Sequence, residues 1–101
     1  MQFNQVSVAK KANVFFDGKC VSHTVTLSDG SRKSVGVIFP STLRFDLTTR
    51  EVMEVIDGTA FVTINGGPEI AYGAGQSWAV DAGGHFVIRT EAPLHYVCHF
   101  G

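Results

Sequence analysis

Four histidines, two cysteines and nine carboxylates are the side chains of this 101-residue sequence that can hold a metal or carry acid, base or nucleophile chemistry. Their spacing withholds most of it. His95 and His99 share one face of an extended run but stand about 13 Å apart at roughly 3.3 Å per residue, too far to ligate one ion. His23 and His85 reach either of them only through the fold. The remaining metal set, His85 with Asp46 and Glu51, offers a single imidazole, too little for a transition metal. Cys20 and Cys98 form no Cys-x-x-Cys pair, and no glycine-rich loop opens a helix. A P-loop or dinucleotide site is therefore excluded. What is left is the carboxylates, among them Glu51, on a strand-like run that shares its face with Met53.

The elements that must position it are strands. Many short apolar runs recur at intervals of about 8–12 residues between turn residues, the pattern of an antiparallel sandwich or barrel. Strands are expected near 19–27, 33–39, 42–47, 51–56, 59–64, 69–72, 76–80, 85–90 and 94–100. Ser28-Asp29-Gly30-Ser31 supplies a turn. Asp57-Gly58, between two such runs, predicts a type I′ hairpin. Asn65-Gly66-Gly67-Pro68 and Asp81-Ala82-Gly83-Gly84 mark further corners. Alternation places Glu51, Met53 and Val55 on one face and Val52, Glu54 and Ile56 on the other. Tyr96, Cys98 and Phe100 likewise oppose His95, Val97 and His99. Residues 1–13 read as a polar tail, with mobility and docking as an edge strand both open, and residues 14–101 as the one domain.

Composition narrows the partners. Hydrophobic residues make up 45% and charged residues 17%, globular values, and the net charge of −1 comes with no massed basic stretch. Neither nucleic acid nor a membrane surface is an expected partner. No apolar run approaches the roughly 20 residues of a membrane span, and the first residues build no secretory signal. The expected location is the cytoplasm, with both cysteines reduced.

Glu51 followed by Gly58, and Gly75 followed by Asp81-Ala82-Gly83, have the spacing of the two motifs of the cupin barrel. Arg44-Phe45-Asp46 stands where metal-binding cupins carry a His-x-His pair, and a guanidinium cannot ligate. Lys33-Ser34-Val35-Gly36-Val37-Ile38 with Pro40 and Phe45 forms one matching run. Glu51 through Gly58, Tyr72-Gly73-Ala74-Gly75-Gln76-Ser77 and Tyr96-Val97-Cys98 complete the set. In this order and spacing they resemble the small cupin family of pyrimidine/purine nucleoside phosphorylases over residues 15 to 100. The resemblance implies an all-β, jelly-roll type cupin barrel or sandwich, a cytoplasmic homodimer and a pentosyltransferase. Such an enzyme splits ribonucleosides with inorganic phosphate into base and ribose 1-phosphate and uses no cofactor. Asp81-Ala82-Gly83-Gly84-His85 departs from the family's usual corner.

Under that resemblance Glu51 is the candidate catalytic residue. Breaking an N-glycosidic bond builds positive charge on the ribose, which a fixed carboxylate favours in the transition state. The same carboxylate is able to accept hydrogen bonds from two vicinal hydroxyls, or to pair with a nearby cation as a plain strand residue. Ser34, Gly36, Arg44 and Arg89 are candidate phosphate donors. Tyr72, Tyr96, Phe45 and Trp78 are candidates for stacking a base or for simple packing, and Met53 for lining the sugar pocket. A non-catalytic cupin that binds a small metabolite and a metal-dependent cupin enzyme are the competing readings.

Overall fold

Turn residues cut the chain into eleven strands in the computed structural model, which describes residues 1–101. These are β1 (Ser7–Val8), β2 (Asn13–Phe15), β3 (Cys20–Thr26), β4 (Arg32–Ile38), β5 (Ser41–Asp46), β6 (Glu51–Asp57), β7 (Ala60–Ile64), β8 (Glu69–Tyr72), β9 (Ser77–Val80), β10 (His85–Thr90) and β11 (Leu94–Phe100). A lone 3₁₀ turn covers Phe16–Gly18. The nine strands expected beyond residue 18 all appear with ends shifted by no more than one residue, because their β-branched and aromatic residues suit a half-buried pleat.

Two antiparallel sheets result. The larger runs β1-β3-β4-β11-β6-β9, with β2 also paired to β3; the smaller runs β5-β10-β7-β8. They pack face to face as a jelly-roll sandwich rather than a closed barrel, with Ile38, Val55, Val62, Phe86, Ile88 and Leu94 wholly buried between them. The alternation read along β6 and β11 is the one observed. Met53, Val55, Tyr96 and Cys98 face this interior, while Glu54, Ile56 and His99 face out. The N-terminal segment lies along the edge of the larger sheet, Ser7–Val8 and Asn13–Phe15 both pairing with β3.

One local expectation is overturned. Asp57-Gly58 closes no hairpin, since β6 pairs with β11 and β9 in the larger sheet while β7 pairs with β10 and β8 in the smaller. Only Gly58 takes a positive φ there, +96°, and a Cβ on it would lie 3.0 Å from Pro93 O, so the glycine serves a sheet-to-sheet corner. The left-handed pair that a type I′ turn needs falls instead at Asn65 (φ 49°) and Gly66 (φ 74°). Their turn joins β7 to β8, with the Gly67 N–H donating to Ile64 O at 2.9 Å.

Candidate active site

Where the sheets splay apart, the sandwich encloses a cavity of about 570 Å³. That is within the roughly 300–1,000 Å³ typical of small-molecule sites. Its back wall is the inner face of the larger sheet, built as cross-strand rows. Ser22, Gly36 and Tyr96 align in one row, of which Ser22 and Tyr96 line the cavity; Thr24, Ser34, Cys98 and Met53 align in the next and all line it. Beyond it, toward the opening, come Arg32, Phe100 and Glu51. The facing wall is Phe45, stacked on Phe86 at 5.1 Å. Asn13, Phe15 and Phe16 complete the mouth, where Phe16 meets Phe45 edge-on at 5.2 Å. Phe16 and the following Asp17 both hold left-handed φ, 53° and 55°, a strained turn for residues with side chains.

Glu51 lines this cavity and belongs to none of the ion pairs, which are Arg44–Asp46, Arg50–Asp81, Arg89–Glu69, Arg89–Glu91 and His99–Glu54. The expectation that it is a strand carboxylate paired with a nearby cation does not describe it. Its one side-chain partner is the thiol of Cys98, whose Sγ donates to Oε1 at 3.3 Å. Met53 and Tyr96 are buried in the floor. The Tyr96 hydroxyl lies 3.4 Å from Cys20 Sγ, and burial pushes both groups toward their neutral forms. Ser34 also lines the cavity, and so does Arg44, whose guanidinium sits on the rim against Asp46 Oδ1 at 3.0 Å.

Three expected site residues lie elsewhere. Gly36 contributes no wall. Its amide lies in the plane of the sheet between β3 and β11, and a Cβ there would come 2.9 Å from the Tyr96 hydroxyl, so the glycine makes room for that ring. Arg89 projects from the outer face of the smaller sheet, held by Glu69 at 3.0 Å and Glu91 at 2.7 Å and lying 4.2 Å over the Phe61 ring. Tyr72 packs on Trp78 at 5.1 Å against the core. Trp78 is itself buried there, its indole N–H without a partner.

Comparison with known proteins decides the family. The model described as pyrimidine/purine nucleoside phosphorylase matches residues 10–100. The chain belongs to that family. Relatives named pyrimidine/purine nucleoside phosphorylase from Dechloromonas aromatica and Thiobacillus denitrificans are 54% and 55% identical to it, aligning 99% of this chain with 98% of each. A crystal structure of a protein of unknown function from Acinetobacter sp. ADP1 superposes with a TM-score of 0.96 at 42% identity, covering 99% of this chain and 98% of that one. KdgF from Halomonas sp. shares the fold alone, with a TM-score of 0.72 at 10% identity over 89% of this chain and 84% of that one.

Within this pyrimidine/purine nucleoside phosphorylase fold, the cavity also holds residues that the sequence did not single out, Arg32, Thr24, Asn13, Phe15 and Phe16, together with Cys98 and Phe100, which it gave no role in a site. Arg32 was within reach, since it lies two positions before Ser34 and so shares its face. Phe15 and Phe16 were not, because they reach the cavity only through the docking of β2 on β3.

Proposed function

We propose that this chain cleaves purine and pyrimidine ribonucleosides with inorganic phosphate, releasing the free base and ribose 1-phosphate. The observation that carries the reading is the pairing of an unneutralised carboxylate, Glu51, with an unpaired guanidinium, Arg32, on one inner sheet face. β4 and β6 flank β11, so the two residues stand two strand spacings apart, about 10 Å. That separation suits a ribose with a phosphate beside it. In this reading Glu51 accepts the 2′ and 3′ hydroxyls and opposes the positive charge that grows on the ring as the C1′–N bond lengthens. Arg32 and the hydroxyls of Ser34 and Thr24 hold phosphate, with Arg44 at the rim able to join on leaving Asp46. A phosphate oxygen forms the new bond to C1′, and the electron pair of the broken bond leaves with the base. The base takes a proton from water at the mouth.

Phe15, Phe16, Phe45 and Phe100 offer the base π-faces rather than a fixed set of donors, and stacking of that kind accepts large and small bases alike. Met53 and Tyr96 shape the sugar floor. Phosphate is the co-substrate, and no metal or other cofactor takes part. In this reading the protein works in the cytoplasm as a homodimer. The second copy would cover the outer face of the larger sheet, where exposed Val35 and Phe39 stand with Val21, Val37 and Ile56 around a shallow apolar hollow. No helix is long and apolar enough to cross a membrane.

The test is incubation of the purified protein with uridine, inosine or adenosine, with and without phosphate, measuring free base and ribose 1-phosphate. Phosphate-dependent release from at least one purine and one pyrimidine nucleoside is expected. Glu51→Gln should lower turnover on the order of 100-fold with an unchanged melting temperature, in the range seen for removing one preorganised electrostatic group. Binding without release would leave a metabolite-binding cupin, and near-normal turnover in Glu51→Gln would remove the carboxylate's role.

A further inference from the structure

Cys98 occupies the middle of β11, a strand paired on both sides, and is 4% exposed. The Cα partner of Glu51 is Phe100, and that of Cys98 is Met53, so the 3.3 Å contact from Sγ to Oε1 runs diagonally between the strands. A diagonal partner pulls the carboxylate off its own row and toward the cavity interior. Burial first, and the nearby Glu51 charge second, hold the thiol well above its ordinary range, so it stays an S–H and is the donor in the pair. No other side chain donates to Glu51.

We propose that Cys98 is a positioning residue for Glu51: its S–H fixes the carboxylate rotamer that presents the second oxygen to the ribose. The proposal rests on the reading of Glu51 given above. The choice of a thiol has a physical logic. An arginine or lysine at this position would orient the carboxylate but neutralise the charge that the transition state requires. A thiol is a weak donor, so it sets direction and leaves nearly all of the acceptor strength available to substrate. The thiol does no covalent chemistry, since its protonated form is a poor nucleophile.

The experiment compares Cys98→Val, Cys98→Ser, Glu51→Gln and the Glu51→Gln/Cys98→Val pair in steady-state phosphorolysis. Valine keeps an apolar side chain of similar bulk and removes the donor; serine restores one. Cys98→Val should lower kcat roughly threefold to tenfold, the rate equivalent of one hydrogen bond from a weak donor, with the KM for phosphate unchanged. Cys98→Ser should recover most of that loss, and adding Cys98→Val to Glu51→Gln should cost nothing further. A wild-type kcat in Cys98→Val, or equal losses in the valine and serine variants, overturns the proposal while leaving Glu51 in place. Full activity in Glu51→Gln removes the parent reading and this one with it. Should Cys98→Val fold poorly, infrared spectra of wild type and Glu51→Gln give a second readout. The S–H stretch of Cys98 should move to higher frequency when the acceptor becomes a neutral amide, with Cys20 contributing equally to both spectra. An unmoved band refutes the donor role.

Discussion

Replacing Gly36 by alanine tests how the cavity floor is held. The residue is in the middle of β4 and its φ is not left-handed, so backbone strain plays no part. The obstacle is space. A Cβ would stand 2.5 Å from Val21 O, 2.8 Å from Ser22 Cβ and 2.9 Å from the Tyr96 hydroxyl, where 3.4 Å is ordinary contact. The nearest of these is main chain in the adjoining strand, paired in register with Gly36 and its neighbours, and it can retreat only by opening the β3–β4 ladder. Overpacking of a core costs about 1–3 kcal/mol, and an immovable backbone neighbour puts this case near the top of that range. For a domain of this size such a loss lowers Tm on the order of 10–20 °C. Thermal unfolding followed by far-ultraviolet circular dichroism, at one protein concentration for both forms, reads it directly. Gly36→Ala/Tyr96→Phe separates the contributors. Deleting the hydroxyl removes the 2.9 Å contact and leaves the 2.5 Å one, so the double variant should regain only a small part of the loss. A Tm within a few degrees of wild type in Gly36→Ala, or complete recovery in the double variant, would refute the reasoning.

Three further expectations use other parts of the structure. Arg32→Met should raise the KM for phosphate by roughly tenfold or more, the loss of one charged hydrogen-bonding group, whereas Arg89→Met should leave it alone; equal effects would show that the face assignments of these arginines do not govern phosphate binding. Folding stability should fall as pH rises above about 9, because the buried Cys20 and Cys98 thiols and the Tyr96 phenol have pKa values raised above their ordinary 9.0 and 10.0. The unfolded chain releases those protons first, so the stabilisation is whole below that pH and is lost above it; a Tm that stays level from neutral pH to about pH 11 would contradict the burial described. If the proposed homodimer uses the outer face of the larger sheet, Val35→Glu on that face should turn it to monomer in sedimentation velocity while preserving its circular dichroism spectrum; an unshifted dimer would refute that interface and a monomeric wild type the dimer itself.

Strand positions and the alternation of Glu51–Met53–Val55 were legible because a period of two survives in a single sequence wherever one side is buried. Pairing was not. Asp57-Gly58 and Asn65-Gly66 look alike locally, yet one joins two sheets and the other closes a hairpin, a choice made by contacts such as that of Gly58 with Pro93. The same limit explains the site. Alternation says that Arg89 and Ile88 face opposite ways, but which way is inward depends on the partner sheet, and Arg89 faces out. Nothing local singles out Arg32, because the cavity it lines is formed by strands distant in the chain. Phe16 stood within a segment whose docking on β3 no local signal announces.

The division between interior and edge strands has a consequence for how such a protein changes over generations. Arg32, Ser34, Glu51 and Cys98 hang from strands with a neighbour on each side, whereas Phe16, Arg44 and Asp46 hang from the margins of their sheets or the turn beside one. Substitutions at the margins disturb few ladder bonds, so a lineage can reshape the mouth of the cavity while the side chains on its interior strands are inherited untouched. Engineering for new substrates would begin at that periphery.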